Sequence, residues 1–226
     1  MNFKLWGILL LLIVVFGGLS VWLSNMQTGP ERIDLVHPTS EQMKKTVQAQ
    51  SSKTPSLAHL KNATLEPGRV VVLDTNRGVI EFVLYEKDCP KTTARIAELI
   101  QGGFYNGVKF PRVVENFVIQ TDQAKKKVPP MGCEIAKGLT HEKGSVGMAR
   151  TDDPNSNTSA FYITRDPAPH LDMLYTTFGR VISGMDVVMK IQVGDVIKTA
   201  TLRPFTTADK KRLNDVITIE AERKTQ

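Results

Sequence analysis

The sequence predicts a mainly β domain, a closed antiparallel barrel of eight strands with two α-helices over its open ends, preceded by a single transmembrane helix. Three observations carry this. Short apolar, β-branched stretches separated by turn residues recur from about Glu66 onward. Only two segments in that region have helical periodicity. And residues 5–23 carry no charge at all.

Those nineteen residues, Leu5 to Leu23, span roughly 28 Å as a helix, close to the hydrocarbon thickness of a bilayer. Trp6 and Trp22 lie near the two ends, where indoles favour the headgroup interface. A cleavable signal peptide has a shorter apolar core and a small-x-small site, whereas Ser24-Asn25-Met26-Gln27 offers none. No cysteine follows the run, which excludes a lipoprotein anchor. Residues 1–23 therefore read as an uncleaved anchor. Lys4 and the terminal amine put the N-terminus in the cytoplasm and the rest outside the cell membrane; cleavage would make the chain secreted.

Residues 24–65 are polar, with Pro30, Pro38 and Pro55 spaced along them, and read as a flexible tether. The domain of residues 66–226 then opens with a strand, Arg69–Thr75, a turn at Asn76-Arg77-Gly78 and a partner strand, Val79–Tyr85. Asp88 caps a helix whose first turn holds Pro90, with Ile96, Leu99 and Ile100 on one face and Gly102-Gly103 as its stop. Further strands are expected at Val108–Val114, Asn116–Gln120, Gly144–Ala149, Ser159–Thr164, Thr176–Val181 and Asp215–Glu220, and a second helix at Met185–Gln192.

Composition narrows the function classes. The net charge of +6 splits evenly: six Lys/Arg against three Asp/Glu in residues 1–65, and twenty-three against twenty in the remainder. No basic stripe is interleaved with aromatics, which argues against nucleic acid; Lys125-Lys126-Lys127 reads as a solvated loop. Two cysteines, Cys89 and Cys133, are too few for a disulfide framework or a zinc site, although their own pairing stays open. The four histidines, His37, His59, His141 and His170, lack ligand spacing, so no metal or other cofactor is expected. The glycosylation triplets at Asn62 and Asn157 read as chance matches.

The stretch Phe104-Tyr105-Asn106-Gly107-Val108-Lys109-Phe110-Pro111-Arg112-Val113-Val114-Glu115-Asn116-Phe117-Val118-Ile119-Gln120 resembles the arginine-bearing segment of the cyclophilins, a family of peptidyl-prolyl cis/trans isomerases. Gly147-Met148-Ala149-Arg150, Pro154-Asn155-Ser156, Ser159-Ala160-Phe161-Tyr162-Ile163, His170-Leu171-Asp172 and Phe178-Gly179-Arg180-Val181 follow at the family's spacing. The resemblance covers roughly 160 residues and is that of a membrane-anchored, bacterial-like member. It implies an eight-stranded barrel capped by two helices, no cofactor, and proline-containing polypeptides as clients. A monomer is expected.

The implied chemistry follows from residue types. Amide resonance opposes rotation about an Xaa-Pro bond by about 18–20 kcal/mol. A fixed cation with N–H donors near the pyramidalising nitrogen stabilises the twisted amide more than the planar one. By resemblance, Arg112 is that cation, and Gln120 holds it and bonds the substrate backbone. Phe117, Val118, Tyr162 and Leu171 fill the proline-pocket positions, and Ala149 and Arg150 line the edge beside the peptide. Several positions depart from the family. Thr121 and Asp122 stand where two glycines and an aspartate usually follow Gln120. Ala160 replaces a glutamine that bonds the substrate backbone, and Tyr162 replaces a phenylalanine, bringing a hydroxyl that needs a partner if buried. His170 stands where cyclosporin-sensitive members have tryptophan, implying weak binding of that drug, and Tyr175 replaces a pocket histidine. Arg112, Phe117 and Gln120 are retained, so isomerase activity is the expectation. The alternatives are a tethered proline-peptide binding or holdase module with negligible turnover, or an envelope scaffold.

Overall fold

The computed structural model describes residues 68–123 and 127–223. The expected anchor, tether and Asn62 triplet lie outside them. Among the described residues no helix is long and apolar enough to cross a membrane.

The elements run β1 (Arg69–Thr75), β2 (Gly78–Leu84), α1 (Pro90–Gln101), β3 (Arg112–Val113), β4 (Val118–Gln120), β5 (Ser145–Met148), β6 (Phe161–Thr164), a 3-10 turn (Pro169–Leu171), β7 (Thr177–Ser183), α2 (Met185–Lys190), β8 (Ile197–Pro204) and α3 (Thr207–Arg223). All eight strands join one antiparallel sheet in the order β3-β4-β6-β5-β7-β2-β1-β8. The edges β3 and β8 are linked by the chain just before each. Lys109 bridges Val196, and the Phe110 and Gly194 N–H groups donate to Asp195 and Phe110 carbonyls at 2.9 Å. No strand ladder closes the sheet there among the described residues.

Strand alternation divides the sheet's faces. Ile119, Phe161, Ile163, Val146 and Met148 point into the main core, where Phe82 meets Phe161 at 6.0 Å and Phe178 at 6.4 Å between ring centroids. The intervening residues Val118, Gln120 and Tyr162 take the other face of β4 and β6, and the candidate site is built there.

Four expectations need correction. The stretch Val108–Val114 is a strand only at Arg112–Val113, because Gly107, Val108 and Phe110 spend their backbone groups on residues 195–197. Asn116 does not extend β4: it sits at φ +55° and turns the chain, so that Phe117 N donates to Val114 O at 3.2 Å. Asp88 does not cap α1. Cys89 is the N-cap and its side chain makes no capping bond; the Glu134 carboxylate accepts from Lys91 N at 3.0 Å and Thr92 N at 2.5 Å instead.

The fourth correction is the largest. Asp215–Glu220 lies inside α3 rather than forming a strand, and the eighth strand is Ile197–Pro204. The run Val216-Ile217-Thr218-Ile219 favours strand by propensity, but a capping box starts a helix ahead of it. Thr206 N donates to Asp209 Oδ2 at 2.9 Å, and Asp209 N returns a bond to Thr206 Oγ1 at 3.3 Å. Arg203 then clamps Asp209 through its two terminal guanidinium nitrogens, at 2.6 and 2.8 Å. Leu213 is buried, Ile217 packs on the main core, and Glu220 pairs with the buried Arg180 of β7.

Both cysteines are free. Asn157 is buried, and its Nδ2 donates to Met131 O and Pro154 O, so the second glycosylation triplet presents no accessible amide.

Candidate active site

β3 and β4 are short, and their register sets the site. Arg112 pairs with Gln120 across the ladder, both side chains on the same face, and Arg112 Nη1 donates to Gln120 Oε1 at 3.0 Å. The guanidinium carbon also lies 5.5 Å from the Phe117 ring centroid. Gln120 is buried and Arg112 half-buried. Burial pulls the Arg112 pKa below its ordinary value, with Tyr175 acting the other way, yet a guanidinium stays charged throughout the physiological range.

Beside this pair is an apolar cluster separate from the main core. Val118, Ala149, Ala160, Tyr162, Ala168 and Leu171 are buried in it, and Phe117 and Tyr175 pack on it half-buried. The sequence alone leaves Phe117, Ala149 and Leu171 readable as barrel core; the structure packs them in this second cluster instead. His170, on the 3-10 turn, stacks on Phe117 at 5.2 Å and 29°. Its Nε2 is buried without a hydrogen-bond partner. Burial, then His141, lower the His170 pKa, while Asp172 opposes them.

The two expected peptide-edge residues have internal partners of their own. Ala149 N–H donates to Ala160 O at 2.9 Å. The Arg150 guanidinium lies 4.3 Å from the Tyr175 ring centroid and donates to Thr151 O, Asp152 O and Leu174 O. Ala160 is fully buried and offers only a methyl group where an amide would be a polar contact. Thr121 lies behind the site: its hydroxyl is bonded at 3.1 Å to Phe161 O and accepts from Phe161 N at 3.0 Å.

The residues missed by sequence reasoning lie beneath Tyr162. Its ring is buried, which raises the phenol pKa well above the ordinary value, and its hydroxyl is 2.8 Å from His141 Nε2. His141 Nδ1 is 2.8 Å from Asp172 Oδ1. The signal was present: a buried Tyr162 demanded a partner, but histidines weighed only as metal ligands do not nominate one.

The sequence and the fold both have known relatives. Residues 70–220 match the family model described as cyclophilin type peptidyl-prolyl cis-trans isomerase/CLD. A Brucella suis protein named "Probable peptidyl-prolyl cis-trans isomerase" is 34% identical over 155 residues, covering 61% of this chain and 79% of that protein. Among solved structures, the cyclophilin type isomerase of Cryptosporidium parvum superposes with a TM-score of 0.57 at 24% identity, covering 62% of this chain and 99% of that one. The same protein crystallised in the presence of the dipeptide Ala-Pro gives 0.55 at 25% identity, covering 60% and 99%. With two-thirds of its length matched by the family model and its fold shared with solved members, this chain belongs to the cyclophilin-type peptidyl-prolyl cis-trans isomerases.

Proposed function

We propose that the chain accelerates rotation about Xaa-Pro bonds by a non-covalent mechanism in which Arg112 stabilises the twisted amide. The observation that carries this reading is the Arg112–Gln120 pair at the border of the Phe117–Tyr162–Leu171 cluster. The apolar cluster suits a proline ring, and a guanidinium held by a neighbouring amide meets the developing lone pair without having to reorganise. No proton transfer or nucleophile is needed.

The proline pocket comprises Phe117, Val118, Ala149, Ala160, Tyr162 and Leu171, with His170 and Tyr175 at its rim. Arg150 braces that rim through Tyr175, and its backbone lies on the edge beside the peptide. The clients are exported polypeptides, on the strength of the uncharged segment at residues 5–23, since slow prolyl steps limit folding wherever the chain emerges.

The test is cis-to-trans exchange of a short Xaa-Pro peptide, followed by NMR with the full-length chain. Wild type accelerates exchange, and Arg112→Ala loses about two orders of magnitude in kcat/KM, as for removal of a preorganised charge donor. A folded wild-type chain that leaves exchange at its uncatalysed rate for several Xaa residues would favour the proline-peptide binding module, to which Ala160 inclines.

A further inference from the structure

Tyr162 is buried, with 4% of its surface exposed, and has close neighbours on several sides. Its ring stacks on His141 at 5.9 Å and 24°, and meets Tyr175 edge-on at 6.3 Å and 78°. Beneath it is Gly147, its partner on β5, where any Cβ would fall 2.7 Å from Tyr162 Cε2 and closer still to the hydroxyl. The ring therefore lies on bare backbone. Its oxygen is buried and so depends on His141: an unpaired buried hydroxyl costs about 1–3 kcal/mol.

The proton positions follow from Asp172. Its Oδ1 is 2.7 Å from the His141 backbone N, which must donate, and 2.8 Å from His141 Nδ1. A carboxylate only accepts, so Nδ1 carries a hydrogen, and in the neutral imidazole Nε2 then presents its lone pair. Tyr162 O–H donates to that lone pair, with the Thr177 hydroxyl 3.0 Å away as a second neighbour. Asp172 in turn is the C-terminal cap of the 3-10 turn bearing His170 and Leu171. The chain Asp172–His141–Tyr162 thus ties the β6 side of the apolar cluster to its rim.

We infer that His141 is a positioning residue, which through Asp172 on one side and Tyr162 on the other sets the shape of the surface that grips proline. The inference rests on the isomerase reading of that surface. His141 touches no substrate; it acts by fixing Tyr162. It also accounts for a tyrosine at a position where an apolar ring alone would suffice: with His141 below, the hydroxyl locks the ring in one orientation.

The experiment is a double-mutant cycle on the full-length chain, read as KM and kcat for Xaa-Pro exchange. His141→Phe keeps the ring volume but strands the Tyr162 hydroxyl; Tyr162→Phe removes the hydroxyl. His141→Phe alone raises KM about tenfold with a smaller change in kcat, and in the Tyr162→Phe background the same change costs less than about twofold. Effects that simply multiply would overturn the inference while leaving the isomerase reading intact. Wild type without activity would overturn the reading itself. Should His141→Phe fail to fold, the imidazole nitrogen resonances of wild type decide. Nδ1 protonated, with an Nε2 signal that shifts in Tyr162→Phe, supports the inference; a proton on Nε2 refutes it.

Discussion

Arg112 and Gln120 are cross-strand partners whose side chains meet at 3.0 Å, although β3 is only two residues long. So short a strand holds its arginine weakly by backbone alone, and the buried Gln120 supplies the remaining restraint. Gln120→Ala should lower kcat/KM for Xaa-Pro exchange about tenfold, equivalent to about 1.4 kcal/mol of transition-state stabilisation, with little change in stability. Wild-type turnover in this variant would mean that Arg112 needs no anchor.

His170 offers a test by titration. Its folded pKa lies below the ordinary value because burial disfavours the imidazolium. For such a base, the fold is penalised when the ring protonates. The His170 contribution to stability is therefore intact above the unfolded value of about 6.5 and is lost as pH falls through the lower folded value. NMR titration should place the His170 midpoint below 6.5. Phe117→Ala, which removes the stacked ring and admits water, should move it upward; an unmoved midpoint would mean that Phe117 does not shield it.

Most of the sheet was legible because short apolar, β-branched runs are punctuated by turn residues, and the Arg112 segment because its run of residues resembles a known family's. Two features were not. The β-branched run at Val216–Ile219 reads as strand, while the helix it joins is decided by Thr206 and Asp209 upstream and by Glu220 reaching Arg180 across the fold. That Thr-x-x-Asp box was visible in the sequence; the ion pair was not. Likewise the partner of Tyr162 is twenty-one residues away in sequence, and only the fold brings His141 under it.

The capping box predicts a measurable acid sensitivity. The Arg203 bond, helped by Thr206, holds the Asp209 carboxyl well below the usual carboxylate range. Its stabilisation is complete above the unfolded value of about 3.9 and is lost as pH falls toward the depressed folded value. Asp209→Ala should cost about 2 kcal/mol in urea unfolding at pH 7. The difference from wild type should narrow by pH 2; a constant difference would exclude the linkage.

Thiol reactivity should separate the two cysteines. Cys89 is fully buried, its sulfur directed at Thr177 O at 3.4 Å, and burial followed by Glu134 pushes its pKa up to about 12. Cys133 is half-buried. Iodoacetamide at pH 8 should therefore modify Cys133 in the folded chain and reach Cys89 only after denaturation. Early labelling of Cys89 would show that the α1 end of the barrel opens readily.

Gly147 is required by contact rather than by its backbone angles. A methyl group there would overlap the Tyr162 ring, so Gly147→Ala must lift the ring and break its bond to His141. Overpacking of this kind costs about 1–3 kcal/mol, and the displaced ring would intrude on the Phe117–Leu171 surface, so kcat/KM should fall at least tenfold. Stability and activity then part company in the double variant Gly147→Ala/Tyr162→Leu. The shorter side chain relieves the overlap and restores much of the stability, but the aromatic wall is gone and turnover stays low. Recovery of both would mean that Tyr162 only fills space; recovery of neither would place the strain in the β5 backbone.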